Sequence, residues 1–253
     1  MTVAAPLDRP PRRVRRSGSA RRFVPPQHGA WAMLLVPYLA GLLVAGFRWL
    51  DLPLLGAWVA GYLLSYFALQ AVKTGRLRRF GPQLALYGPV TAVLAAPVVV
   101  LRPAVLLFAP AYAALLGVNV WYARRRRERA LLNDLASVAQ SCLMVFVVAA
   151  VAHVPPGRVL APFVIVLLYF TGTVLYVKTM IRERGSAAYR RASVGFHALA
   201  LVAAAALGPV PAAVFAVLLA RAWALPRHRL TPKQVGLAEI AASALVLTAA
   251  ALS

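Results

Sequence analysis

From Gly29 onward the chain alternates between long apolar runs and short polar breaks. The runs cover 29–47, 54–72, 83–101, 103–123, 135–154, 158–179, 193–209, 211–224 and 236–252. Most approach the roughly 20 residues that an α-helix needs to cross a hydrocarbon core. The pattern predicts an all-α polytopic membrane protein with about nine transmembrane helices. The seventh and eighth runs are short and meet at Gly208-Pro209-Val210-Pro211, which predicts a tight hairpin. The third carries Pro89 and Pro97. In lipid, the carbonyls freed by those prolines must be covered by neighbouring helices.

Composition agrees with the pattern. Of 253 residues, 62% are hydrophobic and 13% charged, too little polar surface for a soluble domain. The net charge of +22 changes the picture through its distribution. Basic residues sit in short breaks between apolar runs, which excludes nucleic acid as a partner. The N-terminal arm and every second break hold 25 of the 28 Lys and Arg; only Arg48, Arg102 and Arg158 lie on the other side. By the positive-inside rule the N-terminus is cytosolic, and an odd number of spans carries Ser253 outside. Residues 1–24, with Arg12, Arg13, Arg15, Arg16, Arg21 and Arg22, predict a disordered basic cytosolic arm attracted to anionic membrane lipid. Residues 25–253 form the transmembrane helical domain.

Candidate chemistry is sparse. The one cysteine, Cys142, lies in an apolar run and reads as a small buried hydrophobe. The four histidines are scattered, so no metal-ligand spacing and no cofactor are indicated. His28 stands where the first run begins, at a helix N-terminus that presents unpaired N–H groups to an anion; alternatively Gln27 and His28 cap that helix. His197 falls inside the seventh run, as an intramembrane functional group or as a histidine hydrogen-bonded to a neighbouring helix. Glu239 is explained by the dipole at the start of the last helix. Mid-span polar residues are few: Ser65, Asn119, Gln140, Ser141, Thr171 and Thr173.

Two span ends look alike. The second closes with Val72-Lys73-Thr74 and the sixth with Val177-Lys178-Thr179, each followed by arginines. Four spans separate them, as expected of an internal duplication. Between them, Asn119, Trp121, Tyr122 and Arg124–Arg127 lead to Asn133 and Asp134, which either cap the fifth helix or belong to a site.

The Pro26-Gln27-His28-Gly29-Ala30-Trp31 opening, the Arg127–Val138 loop and the Val177–Arg184 loop together resemble the YwiC-like family of bacterial integral membrane proteins. That likeness spans nearly the whole chain and implies a bacterial cytoplasmic membrane protein without an established activity. More distantly, the architecture is similar to UbiA-type intramembrane prenyltransferases. This second likeness implies a nine-helix bundle of two pseudo-repeated halves, with Tyr122, Arg126 or Arg127, and Asn133 at family site positions. Lys73-Thr74 and Lys178-Thr179 stand where those enzymes carry magnesium-binding aspartates. Magnesium needs oxygen ligands, and no carboxylate cluster is present; lysine instead can contact a phosphate directly. The expected site is therefore basic, metal-free and cytosolic-facing, built from His28, Lys73, Tyr122, Arg126, Asn133, Lys178 and Arg182. Its expected ligand is a phosphate-bearing isoprenoid or lipid, such as a polyprenyl phosphate or diphosphate. The alternatives are a metal-independent prenyltransferase, a small-molecule transporter and a membrane assembly factor.

Overall fold

The computed structural model describes residues 23–25, 28–228 and 230–253, so nearly all of the basic arm lies outside the described residues. It is all-helical there, without strands. The helices are α1 (His28–Ala45), α2 (Asp51–Thr74), α3 (Leu77–Leu101), α4 (Ala109–Arg124), α5 (Leu131–Cys142), α6 (Met144–Val151), α7 (Leu160–Val177), α8 (Ala187–Ala205), α9 (Pro209–Ala224) and α10 (Pro232–Ala251). The helices α5 and α6 are one apolar run broken at Leu143, so the described residues form nine helical segments.

Seven segments are long and apolar enough to cross a membrane, which makes the chain a multi-pass membrane protein. The remaining two are shorter or more polar. Apolar α1 runs only from Gly29 to Ala45, and α8 carries Arg190 and Arg191 in its first turns.

The helix α1 is the hub, packing on α5, α6, α7 and α10. Gly41 makes its approach to α6 close: a side chain there would meet Val148 Cβ at 3.0 Å and the Val145 carbonyl at 3.1 Å. Small residues serve this purpose where lipid offers no hydrophobic drive between helices. The largest core joins Val36 and Ala40 of α1 with Ile165, Tyr169, Phe215, Leu218 and Val246. A second core joins Tyr38, Leu50, Leu54, Met144 and Val148 across α1, α2 and α6. Pro209 and Pro211 open α9, and α8 and α9 pair tightly, as the short runs predicted. The three prolines of α3 (Pro82, Pro89, Pro97) lie within one continuous helix that packs along α2. Both α3 and α4 bury little of their surface within the molecule.

Candidate functional site

Two helices carry polar stripes at helical spacing. On α5, Asn133, Ser137, Gln140 and Ser141 fall four, three and one residues apart and share one face. On α2, Tyr62, Ser65, Tyr66 and Gln70 do the same. The two faces line a cavity of about 540 Å³ bounded by α1, α2, α4 and α5, with Val174 of α7 contributing. It runs from Leu34 and Trp58 among the helices to Glu128 in the α4–α5 loop. Four of the six mid-span polar residues that the sequence offered, Ser65, Asn119, Gln140 and Ser141, meet here.

An amide cluster fixes the cavity wall. Asn119 donates through Nδ2 to Asn133 Oδ1 at 2.9 Å and to Ser137 Oγ at 3.2 Å. Asn133 Nδ2 donates to the Glu128 carbonyl at 2.8 Å. Asn133 is therefore not the cap of α5: Ala130 holds the cap position, and Asn133 and Asp134 lie in the first turn. Its amide instead ties the α4–α5 loop to α4.

Both Val-Lys-Thr corners grip this loop. Lys73, 37% exposed at its side chain, pairs with Glu128 at 2.7 Å. Gly75 lets α2 end immediately beyond it, at φ +67°, with its N–H bonded to the Ala71 carbonyl. Lys178 is buried and opens a π-helical turn, Lys178–Arg182. Its Nζ donates to the Arg129 carbonyl at 2.7 Å and pairs with Asp134 at 2.8 Å. The two lysines thus reach one seven-residue segment from two different helices, which puts both corners on the same side of the molecule. Burial pushes the Glu128 carboxyl up, but the hydrogen bond from Lys73 and the charges of Lys73 and Arg129 outweigh it and hold the group below the usual carboxylate range.

The other expected site residues lie around this nucleus. His28 begins α1, but its side chain is outside the described residues. Tyr122 faces a separate shallow hollow lined by Leu115, Val118, Leu132 and Leu135. Arg126 is exposed and turns the loop at φ +55°. Arg182 is exposed at the end of the π turn. Lys73, Asn133 and Lys178 are brought together; Tyr122, Arg126 and Arg182 are not.

A second polar cluster was missed in the sequence. Glu239 lies beyond the first turn of α10, not within it, so the dipole does not explain it. Its carboxylate pairs with Arg221 of α9 and accepts from Thr173 Oγ1 at 2.9 Å and from Tyr169 Oη at 3.3 Å. Tyr169 Oη also lies 2.9 Å from Ser243 Oγ. The Arg221 guanidinium stacks 4.3 Å above the Tyr176 ring. The available signal was one base and one acid inside adjacent apolar runs, with Tyr169 and Thr173 four residues apart. His197 is buried against Gly172, and its Nδ1 donates to the Ser193 carbonyl of its own helix at 2.7 Å. Cys142 is fully buried and free.

Residues 24–149 match the family described as YwiC-like protein. All the cavity-lining residues except Val174 fall in that stretch. Over 226 residues the chain is 33% identical to an "Uncharacterized protein" of Haemophilus influenzae, covering 87% of this chain and 93% of that relative. Over 180 residues it is 33% identical to "Uncharacterized protein YwiC" of Bacillus subtilis, covering 71% of this chain and 75% of that one. No solved structure matches the chain.

Proposed function

The chain belongs to the YwiC-like family, and we propose that it is a membrane-embedded binding protein whose cavity receives a ligand from the basic, cytosolic face of the bacterial cytoplasmic membrane. The ligand is a phosphate-bearing isoprenoid or lipid, with its phosphate at the rim formed by residues 128–134. One observation carries this reading: Lys73 and Lys178 come from separate helices to that one segment.

The two lysines have different parts. Lys178 is buried between Asp134 and the Arg129 carbonyl and holds the loop in place. Lys73 is more exposed and can exchange Glu128 for a phosphate; the carboxylate it releases is 29% exposed and returns to water. The exposed Arg126 and Arg182 add positive charge around the rim. The phosphate sits on the Lys73 side of that rim, because the described wall of the cavity carries no basic side chain. Lysine supplies the positive charge, so magnesium has no part in binding.

The test is calorimetric titration of the purified protein in detergent with geranylgeranyl diphosphate. Lys73→Gln is expected to weaken binding about tenfold, the loss of one charge-assisted hydrogen bond. EDTA is expected to change nothing. Equal binding by the variant would remove the phosphate from this rim.

Passage of a small polar molecule is the second reading. It is favoured by the polar stripes of α2 and α5 and by the helix break at Leu143, features that transporters place around their sites. Uptake of labelled solutes into proteoliposomes distinguishes it from binding alone.

A further inference from the structure

Among the described residues, the cavity wall presents hydrogen-bonding groups without a partner. Ser141 is 7% exposed, lines the cavity, and has no hydrogen-bond partner among the described residues. The side-chain amide of Gln140, one residue before it, likewise has none. Asn119 spends only its Nδ2 on Asn133 and Ser137, so its Oδ1 remains an acceptor. Beside them stands the Trp58 ring, fixed by its Nε1 donating to the Leu34 carbonyl at 3.1 Å and by an edge contact with Tyr112 at 6.0 Å. The wall thus combines a held aromatic surface, a free acceptor and groups that both donate and accept.

Charge narrows what fits. The two carboxylates at the cavity, Glu128 and Asp134, are already paired with Lys73 and Lys178, so neither an anion nor a cation finds an uncompensated partner on the described wall. An apolar chain would leave Ser141, Gln140 and Asn119 Oδ1 without partners in a low-dielectric interior, which is costly. An uncharged group rich in hydroxyls meets all three conditions. Hydroxyls donate and accept, as amides and serine do, and the C–H face of a ring carries the partial positive charge that an aromatic face attracts.

We propose that the cavity is a subsite for an uncharged polyhydroxylated group, a polyol or sugar ring, recognised by Asn119, Gln140 and Ser141 and packed against Trp58. This rests on the cavity being the ligand site, and of the two ligand classes named for it, isoprenoid and lipid, it selects a lipid whose headgroup carries a polyol beyond the phosphate. The group belongs either to a lipid headgroup or to a free soluble polyol, and the two sources share the same contacts.

The experiment uses the full chain in nanodiscs, with competing phosphatidylinositol and phosphatidic acid of identical acyl chains retained and quantified by native mass spectrometry. Tritiated glucose and sorbitol are titrated in parallel. Phosphatidylinositol is expected to be retained about tenfold better than phosphatidic acid. The combined variant Ser141→Ala, Gln140→Leu should erase that advantage and leave phosphatidic acid unchanged, whereas Ser141→Thr, which keeps the hydroxyl, should behave as the native chain. Saturable glucose or sorbitol binding with the same variant sensitivity would support the subsite and assign it to a soluble source. Equal retention of the two lipids without saturable sugar binding would overturn the polyol subsite and leave the phosphate reading standing. Saturable sugar binding with neither phospholipid retained would overturn only the phosphate reading. No binding of any probe would overturn both.

Discussion

Two regions of this protein place acid–base pairs among membrane helices, to opposite ends. Beside the α4–α5 loop, Lys73–Glu128 and Lys178–Asp134 border a cavity whose wall keeps unused donors and acceptors. Across α7, the Arg221–Glu239 pair is closed in by side chains, exposed by only 8% and 15%. There Thr173 and Tyr169 take up the remaining capacity of the carboxylate, and Tyr176 covers the guanidinium. The helix α7 separates the two: Thr173 faces the closed cluster and Val174, the next residue, lines the cavity. The closed pair is not fully satisfied, since Arg221 Nε and Nη2 and the Tyr176 hydroxyl are buried without a partner among the described residues; what sets it apart is that protein encloses it, so it fastens helices together. The pairs beside the α4–α5 loop border a cavity that a ligand can enter.

The closed cluster should respond most strongly to mutation. Arg221→Leu strands the Glu239 charge in the helix bundle and is expected to cost about 3–5 kcal/mol in reversible unfolding. The double change Arg221→Leu, Glu239→Leu should recover most of that loss, because apolar packing replaces a buried pair at little net cost. If the single variant were no less stable than Lys73→Gln, the contrast between the two regions would collapse.

Lys178→Gln should rank next. It removes a charged bond to Asp134 and one to the Arg129 carbonyl, an expected loss of about 1.5–3 kcal/mol. Protease accessibility of the Arg124–Arg129 loop should rise with it, and an unaltered cleavage pattern would mean that Lys178 does not hold the loop.

Lys73→Gln should have the smallest effect on stability, at most about 1 kcal/mol, since the pair is partly solvated. Its signature is pH dependence. Because Glu128 titrates below the usual range, the stability from its pair is complete above that range and is lost as pH falls through the lowered value. The native chain should therefore lose more stability than Lys73→Gln when unfolding is compared at pH 7 and pH 3. Parallel acid limbs would show that the pair contributes nothing.

The sequence by itself determined the helical membrane character, the number of helical segments and the α8–α9 hairpin, since run length and proline placement are local properties. It also grouped Lys73, Asn133 and Lys178 in one expected site, but with His28, Tyr122, Arg126 and Arg182 and without separating the three that converge from the rest. The tertiary structure alone decided what those residues face. Glu128 sits among arginines in the sequence and gave no sign that it would take Lys73. Four sparse mid-span polar residues became one wall only when α2, α4 and α5 met. Glu239 looked like the start of a helix, yet packing of α9, α10 and α7 joined it to Arg221. Periodicity states which face of a helix a residue is on; which helix stands opposite that face depends on contacts between residues far apart in the chain, and composition does not encode these one position at a time.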